Sequence, residues 1–339
     1  MDHGKNNFDF LRMLAAWSVI VSHNWPLHDH TYPLGDLGAA AVYTFFSISG
    51  YLVFASWDRE PNLISFIMKR ILRIFPALIV VTLVGAFIVG PLATTASLSA
   101  YFSSPMIPAY LRTVLLYPMS FALPGVFTDN PFKSDVNSAI YTLAMEFAMY
   151  IGVGILGGAA LLRRNLVLPV LVTLLACIYA ILLHSPEGSF LTMDTSALMR
   201  SAFCFVSGMI IHALSDRRIL VSWAWIPIGA FLVLSHHTEI QFWALLFLIP
   251  YGALSFALHP LPYVHLAGRF GDPSYGVYIY AFMIQQSIMH WLPSISIWEF
   301  LLLASILSLI AGYASWYLIE KRALRLKKSA FFRGKQTTA

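Results

Sequence analysis

The sequence predicts an all-α, polytopic membrane helix bundle of about ten transmembrane helices, with both termini in the cytoplasm. Three observations carry this expectation. Charged residues make up 11% of the 339 residues and hydrophobic residues 58%, whereas a soluble domain carries about 25% charge. The apolar segments run near 20 residues, the length that crosses a hydrocarbon core of about 30 Å as a helix, and they lack the alternating pattern of outer-membrane strands. Lys and Arg are also distributed unevenly between the segments. Candidate spans are 8–24, 36–56, 74–93, 137–162, 165–184, 195–214, 219–236, 240–258, 271–291 and 296–319. With ten spans, Lys5, Arg12, Arg59, Lys69, Arg70, Arg73, Arg163, Arg164, Arg217, Arg218, Arg269 and the basic end from Lys321 fall on one side. That side is therefore cytoplasmic. Residues 1–325 form the transmembrane domain and 326–339 a basic cytoplasmic tail that meets lipid.

The first span, Phe8 to Trp25, lacks a small-residue cleavage site and is read as retained. It holds Arg12 and His23, eleven positions apart. Eleven steps of a helix are about three turns plus 20°, so both side chains share one face about 16 Å apart. Each also has a plain reading, Arg12 as a snorkelling anchor and His23 as a polar helix end.

The second span carries Phe45-Phe46-Ser47-Ile48-Ser49-Gly50-Tyr51-Leu52. Its Ser49 and Gly50 admit either a close helix or a ligand. Arg70 and Arg73, three apart at a helix start, follow the positive-inside rule and also suit a phosphate, which arginine can grip bidentately. An outer stretch over 94–136 is too long for an idle connector. The apolar segment Tyr110 to Leu123 within it fits a re-entrant or interfacial helix better than a span.

Glu146, well inside the fourth span beside Tyr141 and Thr142, is costly in lipid and therefore a functional candidate. At comparable depth it could orient His23 and raise its basicity. Cys177 and Cys204 sit in apolar segments and suggest neither disulfide nor metal. The pairs His28 with His30 and His236 with His237 offer too few ligands for a metal site. The net charge of +5 is a topology signal, not a nucleic-acid footprint, and no P-loop or Gly-x-Ser-x-Gly elbow is present.

These residues, taken in order, resemble the membrane-bound acyltransferase 3 family. Arg12 and His23 match its Arg-x10-His pattern, Phe45 to Leu52 its Phe-Phe-x-x-Ser-Gly-Tyr-Leu pattern, and Lys69 to Pro76 its basic element. Asn137 to Tyr150 match the element carrying Glu146, Ser274 to Tyr280 the late Ser-Tyr motif that includes Tyr278, and Ser315 to Glu320 the usual ending. Tyr43, Tyr141, Thr142 and Ala281 depart from the common pattern and receive no catalytic role.

The resemblance implies an O-acyltransferase in the inner membrane of a bacterium. It would move an acyl group, acetyl by default, from cytoplasmic acyl-coenzyme A to a hydroxyl of a cell-surface or exported glycan or lipid-linked sugar. Acyl-coenzyme A is a donor substrate, and no cofactor or metal is expected. Arg12, Arg70 and Arg73 would hold the donor phosphates. His23 and Glu146 would be catalytic, and Ser49, Gly50, Tyr141 and Tyr278 would line the pocket. The acceptor would be handled by the membrane part or by a partner from polysaccharide biosynthesis or export. The rival reading is a transporter or flippase for a glycan or lipid-linked intermediate, in which the same polar residues form a relay. A third is an assembly partner without activity.

Overall fold

A computed structural model describes residues 6–28, 36–184, 188–190, 193–215, 219–235 and 238–326. Lys5, Asp29, His30, Arg217, Arg218, His236, His237 and the tail beyond 326 lie outside the described residues.

The chain folds as helices, with one two-residue β-hairpin, Ser189–Phe190 against Met193–Asp194. In chain order these are α1 (Phe8–Asn24), α2 (Leu37–Arg59), α3 (Leu63–Ala93), α4 (Leu98–Ser103), α5 (Met106–Leu111) and α6 (Tyr141–Gly158). Then follow α7 (Val167–Leu183), α8 (Thr195–Ala213), α9 (Trp225–Leu234), α10 (Glu239–Leu258), α11 (Ser274–Trp291) and α12 (Ile297–Arg325).

Among the described residues, six helical stretches are long and apolar enough to cross a membrane: α2, α3, α6 with its leading turn, α8, α10 and α12. The helices α1 and α7, at 17 residues each, fall just short in length. At 10 residues, α9 is about 15 Å long, half the thickness of a hydrocarbon core.

The third helix starts eleven residues before the predicted span at 74, because Asn62 caps it by accepting from the Ser65 amide at 2.9 Å. Lys69, Arg70 and Arg73 are thus helical residues within a 31-residue helix. That helix contains Pro76 and a π-turn over Gly85–Val89.

Small residues set the tightest contact in the bundle, between α2 and α8. A Cβ on Gly50 would come within 1.9 Å of the Phe205 carbonyl oxygen, and one on Gly208 within 2.2 Å of that of Ser47. Gly50 therefore brings two helix backbones together and lines neither cavity described below. Buried amides tie the other helices. Asn7 Nδ2 donates to Phe256 O and His259 O at 2.7 and 2.9 Å, and Gln285 Nε2 to Ile20 O at 2.9 Å.

The stretch 94–136 folds as a cap on one end of α3 and α11. Tyr101 donates to Ala86 O at 2.8 Å, within the π-turn, and Asn130 Nδ2 donates to Gln286 O at 2.9 Å. The expected helix over 110–123 is absent. The helix α5 ends at Leu111, a single 3-10 turn spans Arg112–Leu115, and Leu116 reverses the chain with φ at 64°.

Candidate active site

The polar residues converge on two cavities at opposite ends of the bundle. The larger, about 440 Å³, lies where the start of α1, the end of α2, the start of α3 and the end of α12 meet. Arg12, Arg59, Arg70, Arg73, Ser49, Glu146, Tyr150 and Asp272 line it. Three of these are the predicted phosphate-holding cations, so that set is brought together.

Their counter-ions were not foreseen. Asp272, in the loop before α11, accepts from Arg12 at 3.2 Å and from Arg73 at 3.0 Å, and its other oxygen accepts from the Ser274 hydroxyl. Burial alone would raise the pKa of Asp272, but Arg73, Arg12 and Ser274 overcome it and hold the carboxyl at about 2. Asp9 lies 3.4 Å from Arg12, and the buried Glu320 lies 3.8 Å from Arg73 while accepting from Ser315 at 2.8 Å. Arg70 differs. Its guanidinium stacks over the rings of Phe66 and Tyr150, and its buried Nε has no partner among the described residues.

Glu146 faces this same cavity. Its Oε1 accepts from Ser49 Oγ at 2.5 Å and from the Tyr150 hydroxyl. The pairing of Glu146 with His23 that depth alone suggested is not formed. The two residues line different cavities: His23 sits in the last turn of α1, while Glu146, the sixth residue of α6, lies more than a turn further into the bundle.

His23 lines the second cavity, about 280 Å³, with Ser22, Tyr43, Tyr141, Arg200, Ser201 and Tyr278. The ends that build it are the last turn of α1 and the first turns of α2, α6 and α8. The imidazole packs edge-on against Phe282, with centroids 5.2 Å apart, and its buried Nδ1 has no partner among the described residues.

Val42, Thr142 and Tyr278 line both cavities. Tyr278 donates to Ala139 O at 2.8 Å and lies 2.6 Å from Thr142 Oγ1. Thr142 Oγ1 also lies 3.4 Å from Ala139 O, so both hydroxyls have that carbonyl as an acceptor. Phe45 abuts Tyr278 edge-on at 5.6 Å. A thin septum of one valine and two hydroxyls thus separates a cation-rich chamber from a histidine-lined one.

Sequence reasoning missed Asp272, Glu320, Arg59 and Arg200 as site residues. Glu320 lies just past the last predicted span, beside Lys321 and Arg322, and carried no such signal. Asp272 was visible as an acid beside the Ser274-Tyr275 motif. No group of three or more His, Cys, Asp or Glu that could hold a metal occurs among the described residues.

Comparison with known proteins adds three findings. The acyltransferase-domain family, acyltransferase 3, matches residues 5–320. The chain is 29% identical over 335 residues to an "O-acetyl transferase" of Shigella phage Sf6, covering 95% of this chain and 97% of that one. It is 27% identical over 363 residues to "Nodulation protein 10" of Rhizobium leguminosarum bv. viciae, covering 96% and 95%. No solved structure matches.

Proposed function

The chain belongs to the acyltransferase 3 family, and we propose that it transfers an acyl group, acetyl in the first instance, from cytoplasmic acyl-coenzyme A to a hydroxyl of a cell-surface or exported glycan. The observation that carries this reading is the pair of cavities, cations in one and a histidine in the other, meeting at a septum one side chain thick. In this reading the protein is a multi-pass protein of a bacterial inner membrane with about ten spans. The cation-rich chamber and both termini face the cytoplasm, and His23 and residues 94–136 face outward. The Lys and Arg asymmetry supports that orientation.

Arg70 is the cation best prepared for the donor, since its Nε awaits a partner and two rings hold its plane. Arg12 and Arg73 are already paired with Asp272 and reach incoming phosphates by exchanging that carboxylate for them. The pantetheine arm is thin enough to run toward the septum. His23, as the neutral imidazole, removes the proton from the acceptor hydroxyl. The acceptor oxygen then bonds to the thioester carbonyl carbon, the carbon–sulfur bond breaks, and the coenzyme A thiolate takes up a proton. Glu146 acts as a positioning residue, holding Ser49 and Tyr150 and, through the Tyr150 ring, Arg70.

The deciding experiment incubates purified protein with acetyl-coenzyme A and glycan from a strain lacking the protein. Thioester consumption that depends on glycan, with an ester on the glycan by mass spectrometry, is the expected result. Glycan movement across vesicles without thioester consumption would replace this reading with a flippase. Orientation is tested by single cysteines at positions 133 and 164 in intact cells. Labelling by an impermeant reagent is expected at 133 and absent at 164, and the reverse pattern inverts the topology.

A further inference from the structure

The second cavity carries a charge that the transfer chemistry does not use. Arg200, the sixth residue of α8, lies about 8 Å from the start of that helix and lines the cavity with His23. An arginine at that depth is expensive in a membrane unless something answers its charge. Among the described residues the nearest acid is Asp194 at 4.0 Å, with its side chain 59% exposed. The same Asp194 oxygen already caps α8, accepting from the Ala197 amide at 2.6 Å. A pair that long and that wet contributes little.

The remaining contact of the guanidinium is the face of Phe242, 5.9 Å from the ring centroid. No aspartate or glutamate lines the cavity among the described residues. The N-terminal end of α8 adds its own partial positive charge. Around this charge stand neutral groups suited to a sugar, namely the hydroxyls of Tyr43, Tyr141, Tyr278 and Ser201. Arg12 and Arg73 at the other end present the opposite case, with carboxylates at 3.2 and 3.0 Å.

We propose that this cavity takes an acceptor carrying an anionic oxygen group, carboxylate or phosphate, and that Arg200 binds that group while the hydroxyl to be acylated lies toward His23. The proposal rests on the acyl-transfer reading and adds the chemical class of the acceptor. The anion has two sources: a carboxylate or phosphate on the sugar itself, or the phosphate that joins a growing glycan to its lipid carrier.

The test uses a deletion strain complemented with wild type, Arg200→Lys or Arg200→Gln at matched protein levels. Mass spectrometry locates the ester on finished glycan and on lipid-linked precursor, and acetyl-coenzyme A binding by each purified protein reports folding. Loss of a charged contact predicts about a 10- to 100-fold fall in glycan acylation for Arg200→Gln, a smaller fall for Arg200→Lys, and retained donor binding. The ester is expected on a unit bearing carboxylate or phosphate, or on a precursor still joined to its phosphate carrier. An acidic unit esterified only after release from the carrier assigns the sugar's own anion. A neutral unit esterified on the carrier assigns the carrier phosphate.

Wild-type acylation by Arg200→Gln overturns the proposal and leaves acyl transfer standing, as does an ester confined to neutral sugar never joined to phosphate. If Arg200→Gln does not bind donor, Arg200→Lys and the position of the ester decide. Absence of both donor binding and glycan ester with wild type overturns the functional reading itself.

Discussion

The two cavities solve opposite problems. At the cation-rich end, Arg12 and Arg73 are held by Asp9, Asp272 and Glu320, so the charge needed for a polyanionic donor is stored in ion pairs when no donor is present. At the other end the working groups stand without close counter-groups. Among the described residues His23 Nδ1 is unpartnered, and the one acid near Arg200 is a distant, wet carboxylate. Buried ion pairs fix geometry at a cost in desolvation. An unpaired imidazole keeps a lone pair available for a proton. The difference is one of charge balance: Arg12 and Arg73 are paired with acids on one side of the septum, while Arg200 on the other has no close acid among the described residues.

The comparison breaks first at His23. His23→Gln keeps a hydrogen-bonding side chain but accepts no proton at neutral pH, so glycan acylation should fall about 10²- to 10⁴-fold with acyl-coenzyme A binding retained. Wild-type ester levels at matched protein would reduce His23 to a packing residue. Next is Arg70, the cation with an unpartnered Nε. Arg70→Ala should weaken acyl-coenzyme A binding about 10- to 150-fold in direct titration of purified protein. Arg12→Ala should also weaken donor binding, by less than Arg70→Ala, because Arg73 remains beside Asp272. Equal donor affinity in all three proteins would remove phosphate binding from this end.

Asp272 sharpens the contrast through stability. Asp272→Asn leaves two guanidiniums short of their shared acid and should destabilise the fold by about 3–5 kcal/mol, read as a lowered unfolding temperature in micelles. The sign of the pH effect follows from its depressed pKa of about 2. The stabilisation is fully present above the unfolded value of about 3.9 and is lost as pH falls toward 2. The variant should therefore lose the part of the wild-type acid transition that lies in that window. An unchanged acid profile would mean that the pairs of Asp272 with Arg12 and Arg73 contribute nothing to stability.

Much of this was legible in the sequence, for reasons that differ by residue. Apolar length located the helices, and arginine placement assembled Arg12, Arg70 and Arg73 at one end, because those signals act along the chain. The start of α3 was missed, since Lys69, Arg70 and Arg73 interrupt hydropathy while facing acids and a cavity that hydropathy does not register. Gly50 was read as pocket lining and proved to be a packing residue, a choice that depended on α8, 155 positions further on. The partner of Glu146 was misjudged too, since Glu146 lies more than a turn further into the bundle than His23. Arg200 was seen inside its span and left without a role because the cavity beside it is lined from five separate helices.

The septum of Val42, Thr142 and Tyr278 has an electrical consequence. If water fills both chambers, nearly all of a membrane voltage falls across this one layer. On the proposed reading, with the coenzyme inside and the glycan outside, outward movement of the acyl group exchanges the electron pair of the acceptor oxygen for one left on the coenzyme sulfur. If the acceptor proton escaped outside, each turnover would carry one negative charge inward, against about 2.3 kcal/mol for every 100 mV, inside negative. A proton returned inward past the septum would make the same turnover electroneutral and indifferent to how well the cell is energised.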